Sequence, residues 1–377
     1  MINTIKNKLK KNERIYKVFQ ILKFLYNTKW IKSYKSNKYP EILQFPITNN
    51  CNSKCVMCNV TSNILKNEMT VDEFRKIIND DIFKEIKSVG INGGEPFLCK
   101  NLIPFVEILV KKEKLEAINI ISNGFLTNSI LEKTKNIYEL CKKNNIKFHI
   151  SFSLDGYGKI HDKVRGIPNV FSRTIETISS IVNNKEIYCD SYDIGCTVVK
   201  QNIDYLAELE SFAEKMNWNI KFRLGIKNER LHNSSIYNDF SILEDEKAKQ
   251  TAKEFFFGQI LKSKNFYDQY KYWAIFTYLN DDKDRKLGCD WQEKGITLDG
   301  EGNIYYCAVE SPCIANLKNL NGKKEFFKES NIEIRKSIIK NKCSKCIHDY
   351  FGQLLLLNVV KFIKWKFFYK YWIKSYR

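Results

Sequence analysis

The stretch Cys51-Asn52-Ser53-Lys54-Cys55-Val56-Met57-Cys58 decides how this chain is read. It sets three cysteines at CxxxCxxC spacing, directly after a short strand-like run at 42–47. Three thiolates can hold three irons of a cubane iron–sulfur cluster, because soft sulfur suits iron and a short loop brings the ligands to one face. The fourth iron then lacks a protein ligand and is open to a small chelating molecule. Taken alone, the triplet is also compatible with a zinc knuckle or with three unrelated buried cysteines.

Outward from that loop, the pattern from 41 to about 226 alternates short apolar runs with amphipathic stretches, as repeated βα units of a parallel sheet do. Strands are expected at 42–47, 88–91, 117–121, 147–154, 193–199 and 219–224. Helices are expected at 71–80 (with Thr70 as N-cap), 102–112, 128–143, 170–183 and 203–215. Composition alone leaves a partial barrel and a doubly wound sheet both open.

Two further motifs sit at the ends of expected strands. Asn92-Gly93-Gly94-Glu95-Pro96 follows the second: two glycines allow close backbone approach, and the proline stiffens the turn. Asn123 follows the third, and Ser153 and Asp155 the fourth, so small polar groups stand where parallel strands bind ligands. His161-Asp162-Lys163-Val164-Arg165-Gly166 comes next. Arg223 closes the sixth strand with no indication of which way it points, and His161, a lone loop histidine, is given no role.

CxxxCxxC after a first strand, followed by GGEP one βα unit later and by HDxxRG, resembles the radical S-adenosylmethionine (SAM) enzymes. The resemblance covers roughly residues 41–350 and implies an α/β fold, a partial (β/α)6 barrel. It implies a 4Fe–4S cluster on Cys51, Cys55 and Cys58 whose open iron takes the amino and carboxylate groups of SAM. One electron from the cluster then cleaves the sulfonium and releases a 5′-deoxyadenosyl radical that abstracts a substrate hydrogen. By the same resemblance Met57, Gly93, Gly94, Glu95, Pro96, Asn123, Ser153, Asp155 and Arg165 are the SAM-binding residues. Glu95 would meet the ammonium group, and Arg165 would grip the carboxylate with two prongs, as suits a guanidinium. Met57 departs from the family, which usually has an aromatic before the third cysteine; a thioether also packs on an adenine ring. A flavodoxin or ferredoxin is the implied reductant.

A second cysteine group, Cys289, Cys307, Cys343 and Cys346, stands at 287–350. Residues 295–307 read as a hairpin with a Gly-rich turn, and the last pair is CxxC. Four thiolates suit either a closed 4Fe–4S cluster or structural zinc. After a radical SAM core, a hairpin and CxxC resemble the small α+β cluster domain called SPASM or its shorter form, twitch, and imply one auxiliary 4Fe–4S cluster. Such a cluster implies oxidative capacity, with Asp290, Glu310 and Asp349 as proton acceptors by proximity. In sulfatase-maturing relatives an aspartate follows the second cysteine of this group; here Ala308 stands there. Cys313 is a spare thiol, and Cys99, Cys141, Cys189 and Cys196 read as small buried hydrophobes.

The 377 residues carry a net charge of +19, unevenly spread. Residues 1–40 hold eleven Lys and Arg against Glu13 alone, and the tail after Asp349 holds six against no acid, so the body is near neutral. Twelve cysteines, several at CxxC-type spacing, argue for metal binding in a reducing compartment. No secretory signal pattern opens the chain, and no run reaches the roughly 18 apolar residues of a spanning helix. A cytoplasmic protein is expected, either free or on the inner membrane face. The expected organisation is a basic helical segment (1–40), the core (41–226), a helical connector that also contacts substrate (227–286), the cluster domain (287–350) and a basic aromatic tail (351–377). That tail has the composition of an interfacial helix on anionic lipid; no nucleic-acid motif is found. Two pentads, Trp-Ile-Lys-Ser-Tyr at 30–34 and 372–376, read as coincidence. The substrate expected is a carbohydrate, polyol or lipid-linked sugar. A ribosomally made peptide is the enzyme alternative, disfavoured by the short stretch before the first strand, and a non-catalytic metal-binding scaffold is the other.

Overall fold

The computed structural model describes residues 24, 28–29, 38–63, 65, 67–282, 284–350 and 352–373. Most of the expected N-terminal basic helix and most of both pentads lie outside the described residues. The chain divides into two compact units: Lys35–Ala248 with Trp291–Cys343, and Lys249–Asp290 with the two ends, Met1–Tyr34 and Ser344–Arg377.

The first unit is built on a nine-stranded sheet. Six parallel strands follow in chain order: β1 (Ile42–Pro46), β2 (Ser88–Asn92), β3 (Ala117–Ser122), β4 (Lys147–Ser153), β5 (Ser191–Val198) and β6 (Ile220–Leu224). Their register sets Phe45, Ile91, Ile120 and Ile150 side by side in one row, and Leu43, Val89, Ile118 and Phe148 in another, all fully buried. Branched and aromatic side chains in such rows pack well on a pleated surface, which is why these segments form strands. Against the sheet lie α1 (Val71–Ile78), α2 (Leu102–Leu109) and α3 (Thr127–Lys143). α1 starts where Thr70 accepts the Glu73 N–H and Glu73 accepts the Thr70 N–H, a reciprocal capping box. Its Phe74 stacks on Phe45 at 5.0 Å and meets Phe105 of α2 at 4.4 Å, joining both helices to β1.

This is the expected partial (β/α)6 arrangement, and the expected hairpin is present as β7 (Gly295–Leu298) and β8 (Asn303–Tyr305). Spacing gave no hint of where the hairpin docks. β7 pairs in parallel with β1, and β8 and β9 (Ala315–Asn316) extend the same sheet antiparallel. The carboxyl ends of β1 to β6 share one edge, and the loops that carry the motifs leave from it.

The second unit is mainly helical and aromatic. Phe362 of the helix Leu356–Ile373 lies 5.3–5.4 Å from Phe266, Tyr270 and Trp273 of the helix Phe266–Leu279. A short parallel pair, Thr28–Lys29 with Leu354–Leu355, joins the ends of the chain.

Candidate active site

The loop after β1 is held by its backbone. Lys54 and Val56 donate N–H bonds to the carbonyls of Arg165 and Val164 (both 2.9 Å), and Ser53 Oγ donates to the Arg165 carbonyl at 3.0 Å. Those carbonyls end the helix α4 (Lys159–Arg165), whose C-cap, Gly166, is left-handed at φ 67°. A Cβ on Gly166 would lie 2.2 Å from the Lys54 carbonyl oxygen. HDxxRG thus supplies the platform on which the cysteine loop rests.

On the loop's other side, Gly94 and Glu95 donate N–H bonds to the carbonyls of Thr48 and Asn50 (2.7 and 2.8 Å). A Cβ on Gly93 or Gly94 would lie 2.3 Å from the Thr48 oxygen or 2.1 Å from the Asn50 oxygen. The glycine pair is therefore required by close approach of the strand end to the start of the cysteine loop. Pro96 opens a short 3-10 turn, Pro96–Leu98, capped by Glu95.

Glu95 is buried, and its carboxylate accepts from Phe97 N–H (3.2 Å), Ser122 Oγ (3.0 Å) and Asn123 N–H (2.8 Å). Burial pushes the carboxyl up to about 7 against the pull of these donors. Asn123 in turn sends Nδ2 to Asn52 Oδ1 (2.7 Å) and towards Cys51 Sγ (4.0 Å). Arg165 is buried; Nη2 pairs with Asp155 Oδ2 at 2.7 Å, and Nη1 donates to Cys55 Sγ at 3.4 Å. Asp155, fully buried, also accepts the Thr197 N–H (2.7 Å). Both terminal nitrogens of Arg165 are thus engaged with protein, and Nε, buried, has no partner among the described residues.

Met57 is buried in a cluster with Val164, Val199 and Phe240. Ser153 makes no side-chain hydrogen bond among the described residues. Arg223 turns Nε towards Thr197 Oγ1 at 3.4 Å. His161 is fully buried, its Nδ1 accepts the Asp155 N–H (3.1 Å), and burial holds it neutral. Asp162 accepts the N–H groups of Asn169, Val170 and Phe171, starting the helix Val170–Asn183. Asn202 and Asn233 were not legible in the sequence. Asn202 Nδ2 donates to the carbonyls of Asp155 and Thr197, and Asn233 Nδ2 to those of Met57 and Ile226. Both are fully buried and fix the loops that flank the cysteines.

The donor set fits a cluster. Cys51, Cys55 and Cys58 are half-buried, and burial followed by the neighbouring Cys55 charge pushes Cys51 up to about 12 and raises Cys58. Such thiols ionise only with a cation among them. The N–H groups of Arg165 and Asn123 face two of the sulfurs, as second-layer donors to cluster thiolates do. Among the described residues no three His, Cys, Asp or Glu converge on a single-ion site; a cubane instead gives each thiolate its own iron.

Of the second cysteine group, Cys307 and Cys343 fall in the unit with the sheet, and Cys289 and Cys346 in the helical one. Glu310 donates its N–H to Cys307 Sγ at 3.4 Å, and burial raises its carboxyl. In the helical unit, Arg285 uses all five N–H donors on carbonyls. Nε bonds Leu287, Nη1 bonds Cys346 and His348, and Nη2 bonds Gly288 and Tyr350, all at 2.8–3.0 Å. One side chain therefore fixes the approach to Cys289 and the exit from Cys346. In the sequence Arg285 is one charge in a polar run, Asp281 to Lys286, and nothing marks it. Asp290 Oδ1 accepts the Gln353 N–H at 3.3 Å, and Asp349 faces Lys271 Nζ at 3.7 Å. Cys99, Cys141, Cys189 and Cys196 are buried in the core as expected, and Cys313 is exposed.

A thiolate-bearing loop at the carboxyl edge of a parallel sheet, backed by glycines and a buried Arg–Asp pair, defines a cluster-dependent α/β class. Residues 45–213 match the family described as Radical SAM superfamily, and the chain carries a radical SAM domain whose cofactors are a 4Fe–4S cluster and SAM. A probable GTP 3′,8-cyclase of Methanocaldococcus jannaschii is 33% identical over 95 residues, 25% of this chain and 32% of that protein. The GTP 3′,8-cyclase of Thermodesulfovibrio yellowstonii is 24% identical over 192 residues, 49% of this chain and 56% of that one. The chain thus spans between about a third and about half of the length of these curated relatives. Among solved structures, native anSMEcpe with bound AdoMet has TM-score 0.57 at 15% identity, covering 89% of this chain and 98% of that one. Streptococcus suis SuiB bound to precursor peptide SuiA has TM-score 0.55 at 15% identity, covering 84% and 75%. These likenesses concern the fold.

Proposed function

We propose that this protein is a radical SAM enzyme of the oxidoreductase type, with one auxiliary cluster on Cys289, Cys307, Cys343 and Cys346. Its substrate is a carbohydrate, polyol or lipid-linked sugar. When bound, the first cluster with SAM supplies a 5′-deoxyadenosyl radical for hydrogen abstraction, and the second an electron acceptor. The observation that carries the reading is the Arg165 bridge, which joins Cys55 Sγ to buried Asp155 at the end of β4.

The chain's own residues have separable tasks. Arg165 and Asn123 direct N–H groups at Cys55 and Cys51 and offset thiolate charge. Arg165 Nε is the donor left for a SAM carboxylate. Gly93 and Gly94 keep the β2 end close to the loop, and Ser153 offers a hydroxyl without a partner among the described residues. Glu310, next to Cys307 and with its carboxyl raised by burial, takes the substrate proton at a carboxylate oxygen.

A peptide substrate is the second reading, favoured by the likeness to SuiB, whose structure holds a precursor peptide, and to anSMEcpe with the Cp18Cys peptide. Reconstituted enzyme given reductant, SAM and carbon-deuterated polyols, lipid-linked sugars or peptides separates the two. Deuterium in 5′-deoxyadenosine from a carbinol carbon supports the sugar or polyol reading. Deuterium from a peptide carbon alone replaces it with the maturase.

A further inference from the structure

The helix Leu356–Ile373 has two apolar faces, and packing accounts for only one. The inner face places Val359 and Phe362, both fully buried, and Trp365 against the aromatic helix Phe266–Leu279. Leu357, Val360, Lys361, Lys364, Phe367 and Phe368 recur at three- and four-residue steps, so they share the opposite face. That face is open: Phe367 is 77% exposed, Leu357 65% and Phe368 59%. Lys366, on the inner side with Val359 and Phe362, bonds Gln269 Oε1 and lies over the Phe266 ring. No acidic residue follows Asp349, so nothing on this helix neutralises its lysines.

We propose that this face docks the enzyme on an anionic lipid surface, with Phe367 and Phe368 at the acyl boundary and Lys361 and Lys364 on headgroup phosphates. Exposed phenylalanines interleaved with Lys361 and Lys364, which pair with no acidic side chain among the described residues, match a surface that is apolar beneath and negative above. No helix of the described residues is long and apolar enough to cross a membrane, so the helix lies in the surface plane. The inference rests on this helix alone and stands whatever the substrate proves to be.

Flotation of the full-length reconstituted enzyme tests it, using vesicles of phosphatidylcholine alone or mixed equally with phosphatidylglycerol. Wild type is expected to float with the mixed vesicles only. A Phe367→Ser/Phe368→Ser pair and a Lys361→Gln/Lys364→Gln pair should each bind about tenfold more weakly. Because the residues are exposed, both pairs should keep the wild-type thermal transition, which separates lost docking from lost folding. Failure of wild type to float, or equal flotation of the variants, overturns the proposal. So does self-association of wild type that both pairs abolish, which would make the face a contact between copies. Binding of duplex DNA in preference to the vesicles overturns it as well.

Discussion

Arg165 ties the cysteine loop to the sheet. Its pairing with Asp155 is almost wholly out of water, so removing the guanidinium leaves a buried carboxylate uncompensated. Arg165→Ala should lower stability by about 3–5 kcal/mol in chemical denaturation. Arg165→Lys should keep part of the ion pair but lose the second donor to Cys55, and the first cluster's EPR signal should shift. Gly166→Ala tests the platform beneath the loop. A methyl group there meets the Lys54 carbonyl in a left-handed backbone, so about 1–3 kcal/mol of stability and part of the bound iron should be lost. Unchanged iron content in Gly166→Ala would show that the loop does not depend on this contact. Spacing made Cys51, Cys55, Cys58, Gly93 and Gly94 legible because short-range geometry is written in short-range sequence. The partners of Arg165 were not legible, since Asp155 and Cys55 reach it only once β1 and β4 share a sheet. Met57 shows the same limit: a thioether suits adenine or a core equally, and nothing in the sequence marks Val199 and Phe240 as its neighbours.

At the scale of elements, the strands of the core were legible to within about two residues, because apolar side chains recur along each, and β2, β3, β4 and β6 are closed by glycine, asparagine or aspartate within two residues. β7 was legible as a strand but not as the neighbour of β1, since pairing between residues 42 and 295 leaves no local trace. Edge chemistry between β5 and β6 gives a pH prediction. Burial pulls the Asp193 carboxyl up, but His149, Lys221 and Ser151 prevail and hold it below its ordinary 3.8. Its contribution is therefore complete above pH 3.8 and lost as pH falls below that value. Asp193→Asn should cost roughly 1 kcal/mol at neutral pH, since the site is partly solvated, and should flatten the acid limb of the stability curve. An unchanged acid limb would assign it to other carboxylates. Arg285 is the element-scale feature that sequence hid most completely. Lysine has three donors on one nitrogen, so Arg285→Lys must leave carbonyls of the 287–288 or 346–350 segments without a partner. A loss of about 1–3 kcal/mol is expected, with iron released from the second cysteine group and the first cluster retained. Full iron content in that variant would separate Arg285 from cluster binding.

Across the whole molecule, order in the chain and order in space part company. The connector from Lys249 onward and the basic tail, far apart in sequence, belong to one helical unit, while residues 227–248 and the hairpin belong to the unit with the sheet. Charge follows this division only in part, and composition could not locate the tail's second apolar face: two faces on one helix average out in any linear reading. The most direct test is iron and sulfide per chain, with EPR, on anaerobically reconstituted protein and its Cys343→Ala/Cys346→Ala variant. About eight irons falling to about four, with the SAM-responsive EPR signal retained, is the predicted result for two cubanes. Four irons in both proteins, with zinc in the second cysteine group, would contradict it and remove the electron acceptor from the proposed chemistry.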